Sequence, residues 1–464
     1  MSEGRFHVRK AAVLGAGVMG AQIAGHLCNA GIPTVLFELA AKEGDPNGLV
    51  NKAIANLGKL KPAPLGEKSV ADGIIPANYD QHLHLIDDCD LIIEAVAERM
   101  DIKRAVYDKV ENRVKEGAII ASNTSGLSIT GLADSLPESL RSRFCGVHFF
   151  NPPRYMYLVE LIPTKYTSDS VMDELESFLT TALGKGVVRA KDTPNFIGNR
   201  IGVFSMLACM HHTKAMGLGF DVVDALTGPL VGRPKSATYR TADVVGLDTM
   251  GHVIQTMQDT LPEDPWHAYF GKPDWLAALI AEGSLGQKSG KGVYEKRGKD
   301  IYVLDLEKAD YRPSGQEPSA AVEGALRQKT WGERLAKLRA SDDVQAQFMW
   351  ACFRDLFHYA AYHLADIADT ARDVDLATRW GYGWKEGPFE VWQQAGWQQV
   401  ATWIEEDIAA GKTMSDAPLP AWVKAAEREA VHFPQGSYAP GSDAVQPRSQ
   451  LPVYRRQAFP DPVL

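Results

Sequence analysis

A glycine motif near the amino terminus constrains this chain more than any other feature. Gly15, Gly17 and Gly20 stand in G-x-G-x-x-G spacing, directly after the apolar run at residues 11–14. The first glycine of such a motif permits a tight turn, the second lets the backbone approach a pyrophosphate, and the third lets a helix pack close to the strand. The amino terminus of that helix offers free N–H groups to phosphate oxygens. The residues of this turn that are predicted to bind a dinucleotide cofactor are Gly15, Gly17, Val18, Met19 and Gly20.

An acidic residue follows the motif at the spacing that a dinucleotide site needs. The apolar segment 34–37 is a second predicted strand, and it ends in Glu38. A carboxylate about 20 residues beyond the motif binds a ribose 2′-hydroxyl and repels a 2′-phosphate, which favours NAD over NADP. A glycine-rich turn without any nucleotide is the alternative. The strand, helix and acid around the motif favour the NAD site.

The next part of the chain alternates between strands and helices. Strand-like runs occur at residues 91–95, 118–122 and 144–148, with helical stretches such as 101–114 between them. Alternation of this kind predicts a parallel sheet covered on both faces, here a Rossmann-like doubly wound α/β domain. We expect residues 158–162 and 186–189 to add edge strands.

Residues 42–80 do not fit a simple crossover and are predicted to be a helical excursion between strands. The segment contains Lys52, Lys59, Lys61 and Lys68. These lysines could form a basic arm over a polyanionic ligand, or they could be a solvated helix face. Charge alone does not separate the two interpretations.

The chain beyond residue 190 changes to helical patterns, and part of it is repeated. VDAL at 223–226 is followed by glycines at 228, 232 and 246, and VDLA at 374–377 by glycines at 381, 383 and 396. This order predicts a duplicated helical unit, although amphipathic helices can also resemble each other by chance. The glycine-rich segment 286–294 lacks the spacing of a phosphate loop and is interpreted as structural.

These observations predict four segments along the chain. They are an NAD-binding Rossmann-like domain at 1–190, a first all-α domain at 191–299, a connector with a second all-α domain at 300–433, and a tail or linker at 434–464.

Composition excludes several classes of function. The five cysteines are scattered without a CxxC pair, which predicts no metal site and favours a reducing, cytoplasmic location. The net charge of -9 without a basic block gives no support for a nucleic-acid partner. No apolar run approaches the roughly 20 residues that cross a bilayer, so no membrane span is expected.

Six segments together resemble the L-3-hydroxyacyl-CoA dehydrogenase family of fatty-acid β-oxidation, in that family's order and near its spacing. They are GAGVMG at 15–20, IEAVAE at 93–98, ASNTS at 121–125, VHFFNP at 147–152, LVEL at 158–161 and DTPNFIGNR at 192–200. The resemblance implies NAD-dependent oxidation of a (3S)-3-hydroxyacyl-CoA to a 3-ketoacyl-CoA. The second helical unit is similar to that of the family's longer members.

The resemblance also implies catalytic roles. His148 matches the general base, a task that imidazole suits because it titrates near neutral pH. Glu160 matches the carboxylate that orients the imidazole and stabilises its charged form. Ser125 and Asn199 match polar groups that hydrogen-bond the C3 oxygen of the substrate. We place Asn199 about one and a half turns into a helix that begins at Thr193 and Pro194.

Further residues match cofactor and substrate contacts. Glu98 and Lys103 match positions near the cofactor's ribose and carboxamide, although they could equally form a surface ion pair. Asn123 matches a residue near the nicotinamide. The residues expected to bind the phosphates of CoA are Lys52, Lys59 and Lys61. The chain is longer than the short family members between Ser125 and His148, which affects the loop beside the site.

Three alternative functions differ in how well they fit the sequence. The chain could be a non-catalytic NAD-binding protein on the same scaffold, or the dehydrogenase part of a longer chain that also carries an enoyl-CoA hydratase. A dehydrogenase of free β-hydroxyacids is disfavoured, because the catalytic-lysine segment of that group is missing.

We also hypothesise that the second helical unit replaces a partner subunit, so that the protein is a monomer, with a homodimer as the alternative.

Overall fold

A computed structural model describes residues 6–425 and 427–456 of the chain. The described part divides into two compact units, one of residues 6–196 with 449–456 and one of residues 197–425 with 427–448. The boundary between the first two segments thus falls between Phe196 and Ile197 rather than at residue 190. The first unit is α/β, and the second is mainly helical.

The first unit contains eight strands and six α-helices among the described residues. In chain order they are β1 (Ala11–Leu14), α1 (Val18–Asn29), β2 (Thr34–Glu38), α2 (Gly48–Leu57), β3 (Ile74–Asn78), β4 (Leu91–Glu94), α3 (Met100–Val110), β5 (Ile119–Ser122), α4 (Ile129–Ala133), α5 (Glu138–Arg141), β6 (Phe144–Phe149), β7 (Leu158–Pro163), α6 (Asp169–Thr181) and β8 (Gly186–Arg189).

The strands form one sheet, in the order β3-β2-β1-β4-β5-β6-β7-β8. The six strands from β3 to β6 are parallel, which confirms the predicted Rossmann-like sheet. Strands β1, β4 and β5 are buried along their whole length, as expected for strands covered by helices on both faces.

Residues 42–80 were predicted to be a helical excursion between strands, and this prediction is wrong at the end of the segment. After α2 the chain forms β3, which pairs with β2 at the edge of the sheet. Pro76 lies within β3 and obscured it, because a proline argues against a strand. An edge strand tolerates proline, since one side of its backbone has no ladder partner.

The prediction that residues 158–162 form an edge strand is also wrong. β7 lies between β6 and β8, is antiparallel to β6 and parallel to β8. Of the two strands predicted for the edge, only β8 lies at an edge of the sheet. The antiparallel pairing sets His148 directly opposite Glu160 on neighbouring strands.

The second unit is mainly helical. Its elements are α7 (Gly198–Ala215), α8 (Phe220–Thr227), α9 (Tyr239–Val245), α10 (Leu247–Thr260), α11 (Asp274–Ala281), β9 (Tyr294–Arg297), β10 (Asp300–Asp305), β11 (Asp310–Pro313), α12 (Ala320–Leu326), α13 (Trp331–Ala340), α14 (Val344–Ile367), α15 (Ala371–Tyr382), α16 (Pro388–Ala409), α17 (Ala421–Lys424), β12 (His432–Phe433), β13 (Gly436–Ala439) and β14 (Ala444–Gln446).

Two parts of the predicted organisation need correction here. The helical domains are not purely α, because β9–β11 and β12–β14 form two three-stranded antiparallel sheets. The segment predicted as a tail contains β13 and β14, and Tyr438 on β13 is buried with its ring 5.0 Å from that of Trp422. These strands are short and lie among prolines, so they give little periodicity. Residues 457–464 of that prediction lie outside the described residues.

The sequence repeat has a counterpart in the structure. We call residues 198–297 the first repeat and residues 344–439 the second repeat. The carboxylate of Asp224 accepts hydrogen bonds from the backbone N–H groups of Thr238, Tyr239 and Arg240 at 2.6–3.0 Å. The carboxylate of Asp375 accepts them from Phe389 and Glu390 at 2.9 and 3.0 Å. Each aspartate therefore caps the start of the next helix in its own repeat.

The first helices of the two repeats, α7 and α14, pack against each other. The rings of Phe204 and Tyr359 are stacked with centroids 3.7 Å apart, and His212 Nε2 lies 2.6 Å from Asp355 Oδ2. Both helices are buried along most of their length. The second repeat therefore covers the face of α7 that would otherwise be open.

Within the described ranges, no helix combines the length and the apolarity that crossing a bilayer requires. The same part of the chain has no group of three or more His, Cys, Asp or Glu side chains placed to hold a metal ion.

Candidate active site

A buried histidine–carboxylate pair lies on β6 and β7 of the first unit. His148 Nδ1 is 2.8 Å from Glu160 Oε2, and the two side chains are 5 % and 0 % exposed. The pairing follows from the antiparallel register, which puts both side chains on the same face of the sheet. When Nδ1–H donates to the carboxylate, Nε2 keeps its lone pair, so it can accept a proton from a substrate.

Two aromatic rings enclose the imidazole. The ring of Phe150 lies 4.8 Å from that of His148, and the ring of Phe196 lies 5.5 Å from it. Asn195 and Phe196 have positive φ angles of 63° and 50°, a conformation that costs energy for residues with side chains. The helix predicted to start at Thr193 begins instead at Gly198, because these two residues interrupt it.

The loop after β5 carries Asn123 and Ser125, and a carboxylate holds it. Glu98 Oε1 accepts hydrogen bonds from Thr124 Oγ1 at 2.5 Å and from the backbone N–H groups of Ser125 and Gly126 at 2.8 and 3.0 Å. Burial opposes ionisation of Glu98, but the nearby Lys103 ammonium and these hydrogen bonds outweigh it and lower the pKa of Glu98. The structure thus places Glu98 where it fixes the backbone at Ser125.

Asn123 links the end of β5 to β6, the strand that carries His148. Its Oδ1 accepts a hydrogen bond from the backbone N–H of Phe149 at 2.9 Å, next to His148 in the chain. Asn123 is buried. The loop that carries Ser125 is therefore tied to the strand that carries His148.

Lys103 belongs to a buried network of polar side chains around Glu94, a residue for which the sequence predicted no role. Its Nζ lies 2.7 Å from Glu94 Oε1 and 3.5 Å from Glu98 Oε2, and its side chain is 1 % exposed. Tyr107 and Ser122 donate their hydroxyl protons to Glu94 at 3.0 and 2.7 Å. The alternative of a surface ion pair is wrong. A charged residue at the end of the apolar run 91–93 was the signal for Glu94.

The glycine turn fits a dinucleotide. Gly15 has a φ angle of 103°, and a Cβ at Gly20 would collide with the carbonyl oxygen of Gly15. A Cβ at Gly17 would meet no protein atom within 4 Å, so the protein leaves open the space in which a pyrophosphate can approach the backbone. Val18, at the start of α1, is 68 % exposed there.

Glu38 lies at the end of β2, beside this turn. Its Oε2 accepts a hydrogen bond from the backbone N–H of Ala16 at 2.9 Å, and its Oε1 from that of Leu39 at 2.8 Å. Each carboxylate oxygen retains a further lone pair for a ribose hydroxyl. The residues that fit NAD are Gly15, Gly17, Val18, Met19, Gly20 and Glu38.

The three lysines that were predicted to bind the phosphates of CoA are exposed. Lys52 lies on α2, and Lys59 and Lys61 follow that helix. The segment after them is held by Arg154 Nη1, which donates to the carbonyl oxygens of Ala63 and Leu65 at 2.8 and 2.7 Å. Sequence reasoning missed Arg154, which directly follows the HFFNPP segment. Its contacts join the lysine segment to the loop after β6.

Asn199 lies in the second unit, in the first turn of α7. Its Oδ1 accepts a hydrogen bond from the hydroxyl of Tyr382 at 3.2 Å. Phe196, whose ring contacts His148, precedes it in the chain. The structure thus connects a sequence-predicted site residue to the second repeat, which no motif in the sequence indicated.

These features define a class: a dinucleotide-binding protein with a buried histidine–carboxylate pair on its sheet. Comparison with known families is consistent with that class. The model described as "3-hydroxyacyl-CoA dehydrogenase, NAD binding domain" matches residues 10–193, and that described as "3-hydroxyacyl-CoA dehydrogenase, C-terminal domain" matches residues 196–296.

Individual relatives agree. A protein of Bacillus subtilis described as "Probable 3-hydroxyacyl-CoA dehydrogenase" is 39 % identical over 90 % of this chain and 54 % of its own length. One of Deinococcus radiodurans with the same description is 42 % identical over 62 % of this chain and 83 % of its own length. The structure of 3-hydroxybutyryl-CoA dehydrogenase from Escherichia coli has a TM-score of 0.66 and 22 % identity, and covers 90 % of this chain and 98 % of that one, which shows a shared fold.

The chain therefore belongs to the 3-hydroxyacyl-CoA dehydrogenase family of NAD-binding oxidoreductases. It spans about half the length of the Bacillus subtilis relative.

Proposed function

We propose that this chain oxidises (3S)-3-hydroxyacyl-CoA to 3-ketoacyl-CoA with NAD⁺, as a step of fatty-acid β-oxidation. The observation that carries the proposal is the buried pair of His148 and Glu160, with 2.8 Å between Nδ1 and Oε2. Oxidation of a secondary alcohol requires a base for its hydroxyl proton, and an oriented imidazole supplies one. Bound NAD⁺ supplies the acceptor for the hydride that leaves C3.

The proton follows a defined route in this proposal. Nε2 of His148 takes the proton of the C3 hydroxyl. Glu160 accepts the hydrogen bond from Nδ1–H throughout, so it fixes the tautomer and stabilises the imidazolium that forms. Phe150 and Phe196 keep water away from the imidazole, which strengthens this charge interaction. In the reverse direction the same imidazolium returns the proton to the oxygen.

The C3 oxygen carries partial negative charge as the proton leaves. The proposal assigns two hydrogen-bond donors to it, the hydroxyl of Ser125 and the amide Nδ2 of Asn199. Donors held in place before the reaction stabilise such charge without a reorganisation cost. Glu98 holds the backbone of Ser125 in this role, and Asn123 holds the same loop against β6.

In this proposal, the nucleotide part of the CoA ester contacts the three lysines on and after α2. Lys52, Lys59 and Lys61 are exposed, and none has a carboxylate partner within 4.0 Å in the described ranges. Their charge therefore remains available for phosphates. Simultaneous replacement of the three by alanine should raise the KM for the CoA ester several-fold and leave kcat within a factor of about 2, since these contacts lie far from the reacting carbon.

Two further expectations belong to this proposal. The cover that α14 provides for α7 supports a monomer in solution, and sedimentation equilibrium showing a stable dimer through α7 would contradict it. All five cysteines are free, buried thiols, which suits a reducing cytoplasm.

The test is oxidation of NADH by the purified chain with acetoacetyl-CoA, beside free acetoacetate. Turnover should require the CoA ester. His148→Ala should lower kcat by about 10²–10⁴-fold, because the proton donor is lost. The matched control is His84→Ala, which removes an exposed histidine of the same unit and should keep wild-type turnover.

Binding of NADH, followed by its fluorescence, should be the same in wild type and both variants. A chain that binds NADH but turns over no short-, medium- or long-chain ester would instead be a non-catalytic NAD-binding protein. Wild-type kcat in His148→Ala would contradict the assigned base.

A further inference from the structure

We propose that Tyr382, on the second repeat, is a positioning residue that orients the carboxamide of Asn199 for catalysis. The inference rests on the proposed function, in which Nδ2 of Asn199 donates to the C3 oxygen. It assigns the second repeat a part in the reaction, in addition to its packing against α7.

One hydrogen bond connects the two residues. The hydroxyl of Tyr382, at the end of α15, donates to Oδ1 of Asn199 across 3.2 Å. The two residues belong to different repeats and are 183 positions apart in the sequence. Both side chains are partly buried, so water competes only in part for the bond.

The tyrosine ring is fixed by a close approach to α7. A Cβ placed at Gly202 would collide with the ring of Tyr382. Gly202 and Asn199 are three residues apart on one helix, so they lie on the same face. The absence of a side chain at Gly202 lets the ring lie against the helix, and this brings the hydroxyl to Asn199.

The backbone after Tyr382 is also held. Gly383 ends α15 with a φ angle of 67°, and the backbone N–H of Lys385 donates to the carbonyl oxygen of Gly232 at 2.8 Å. Gly232, with a φ angle of 72°, is the counterpart of Gly383 in the first repeat. The residue before Gly232 is Val231, which has no hydroxyl. The tyrosine is therefore particular to the second repeat.

The hydrogen bond from Tyr382 selects one of two orientations of the Asn199 carboxamide. An asparagine side chain has an acceptor, Oδ1, and a donor, Nδ2, on opposite sides of one rotatable bond. That torsion is broad, so the orientation is set by hydrogen-bond partners. A donor on Oδ1 selects the orientation in which Nδ2 faces away from the tyrosine. The flipped amide would present an oxygen to the developing negative charge on the substrate.

Tyr382→Phe removes the hydroxyl and retains the ring that packs on Gly202. We expect kcat with acetoacetyl-CoA to fall about 5–10-fold, the size of one ordinary hydrogen bond. KM should change less than about 2-fold, because the interaction strengthens as charge develops. The matched control is Tyr294→Phe, which removes a buried hydroxyl that donates to Asp224 in the same unit. It should retain the wild-type kcat.

A double-mutant cycle separates positioning from general stability. In an Asn199→Ala background, Tyr382→Phe should cause no further loss of kcat, because no amide remains to orient. An equal fold-loss in both backgrounds would overturn the proposal, and so would an unchanged kcat in the single variant. If Asn199→Ala itself keeps wild-type kcat, the role of Asn199 in the proposed function fails, whatever Tyr382 does.

A spectroscopic measurement tests the bond without turnover. In protein labelled with ¹⁵N-asparagine, the side-chain amide signals of Asn199 are those that vanish in Asn199→Ala. They should shift or broaden in Tyr382→Phe and stay unchanged in Tyr294→Phe. Signals identical to wild type in Tyr382→Phe would overturn the inference even if the protein had no dehydrogenase activity.

Discussion

In both repeats, a residue near the end contacts an aspartate on an earlier helix, but the side chain that makes this contact differs. In the first, Tyr294 donates its hydroxyl proton to Asp224 at 2.7 Å. In the second, His432 Nε2 lies 2.7 Å from Asp375 Oδ2. Each aspartate therefore joins the start of one helix to a strand that arrives much later in the chain.

A second pair of contacts matches as well. Asp243 accepts hydrogen bonds from the backbone N–H groups of Val293 and Tyr294, both at 2.8 Å. Gln393 accepts them from Val431 and His432, both at 2.9 Å. Asp243 and Gln393 stand at the same distance before the glycines that interrupt their helices, Gly246 and Gly396. The two repeats thus share the positions of these acceptors and not their residue types.

The repeats differ most at their first helices. Counting back equally from Asp224 and Asp375, the position of Asn199 is occupied by Trp350 in the second repeat. Its Nε1 donates to Asp407 at 2.8 Å, a contact inside the core. The same framework is therefore present in both repeats, whereas the proposed catalytic amide is present only in the first.

Loss of the capping aspartates should have the largest effect on the shared framework. Asp224→Ala and Asp375→Ala each leave buried backbone N–H groups without their acceptor, and each also removes one hydrogen-bond partner, of the Tyr294 hydroxyl or of the His432 ring. We expect each variant to lower the free energy of unfolding by about 2–4 kcal/mol. Urea denaturation of the full chain measures this.

The control for these variants is Asp248→Ala, which removes an exposed partner of Lys288 and should cost less than about 1 kcal/mol. If one aspartate variant costs 2–4 kcal/mol and the other matches this control, the two repeats do not share their framework.

A smaller effect should appear as a pH dependence that distinguishes the repeats. Burial, followed by the negative charge of Asp375, raises the pKa of Glu390 to about 8. In the first repeat, burial raises the pKa of Asp224 and Asp243 only to about 6. A raised carboxyl pKa means that the folded state keeps a proton that the unfolded state releases. The stability is full below the unfolded pKa and is lost as pH rises through the folded one.

Glu390 should therefore contribute a loss of about 2 kcal/mol of stability between pH 6 and pH 8. Glu390→Gln should remove most of this slope, while Asp243→Asn should flatten the profile below pH 6 instead. Urea unfolding at a series of pH values decides. A Glu390→Gln profile parallel to wild type above pH 6 would contradict the assignment.

The smallest effect should come from the helix-breaking glycines. Gly246 and Gly396 have φ angles of 100° and 97°, which disfavour any side chain. Gly246→Ala and Gly396→Ala should each cost about 1–2 kcal/mol. Gly324 lies within α12 without a positive φ, and a Cβ there meets nothing within 4 Å. Gly324→Ala should stabilise the protein by up to about 1 kcal/mol. A destabilised Gly324→Ala, or an unchanged Gly396→Ala, would contradict this account.

Local patterns in the sequence predicted much of the first unit. The glycine motif and the apolar runs gave β1, α1, β2 and the central strands, because each signal lies within a few residues. Pro76 obscured β3, and the positive φ angles at Asn195 and Phe196 displaced the start of α7. Backbone conformations of that kind are set by tertiary packing, so composition does not show them.

The family motifs in the sequence predicted which residues belong to the candidate site, but not the contacts between them. His148 and Glu160 were paired by resemblance, while their contact follows from an antiparallel register that the sequence did not reveal. Glu94 contacts Lys103, and Arg154 contacts the segment that follows the lysines. The motifs suggested no functional role for either residue. Tyr382 meets Asn199 across two repeats, and no local pattern can show a contact between such distant positions.

The role of the histidine–carboxylate pair is tested most directly by the kcat of Glu160→Gln with NADH and acetoacetyl-CoA. This isosteric change keeps the packing and removes the charge that holds Nδ1–H of His148. The matched control is Glu176→Gln, which alters another buried carboxylate of the same unit, paired with Arg189. We predict that kcat falls about 10²–10⁴-fold in Glu160→Gln, with NADH affinity unchanged and with wild-type turnover in the control. A Glu160→Gln enzyme that turns over like wild type would contradict the histidine–carboxylate mechanism.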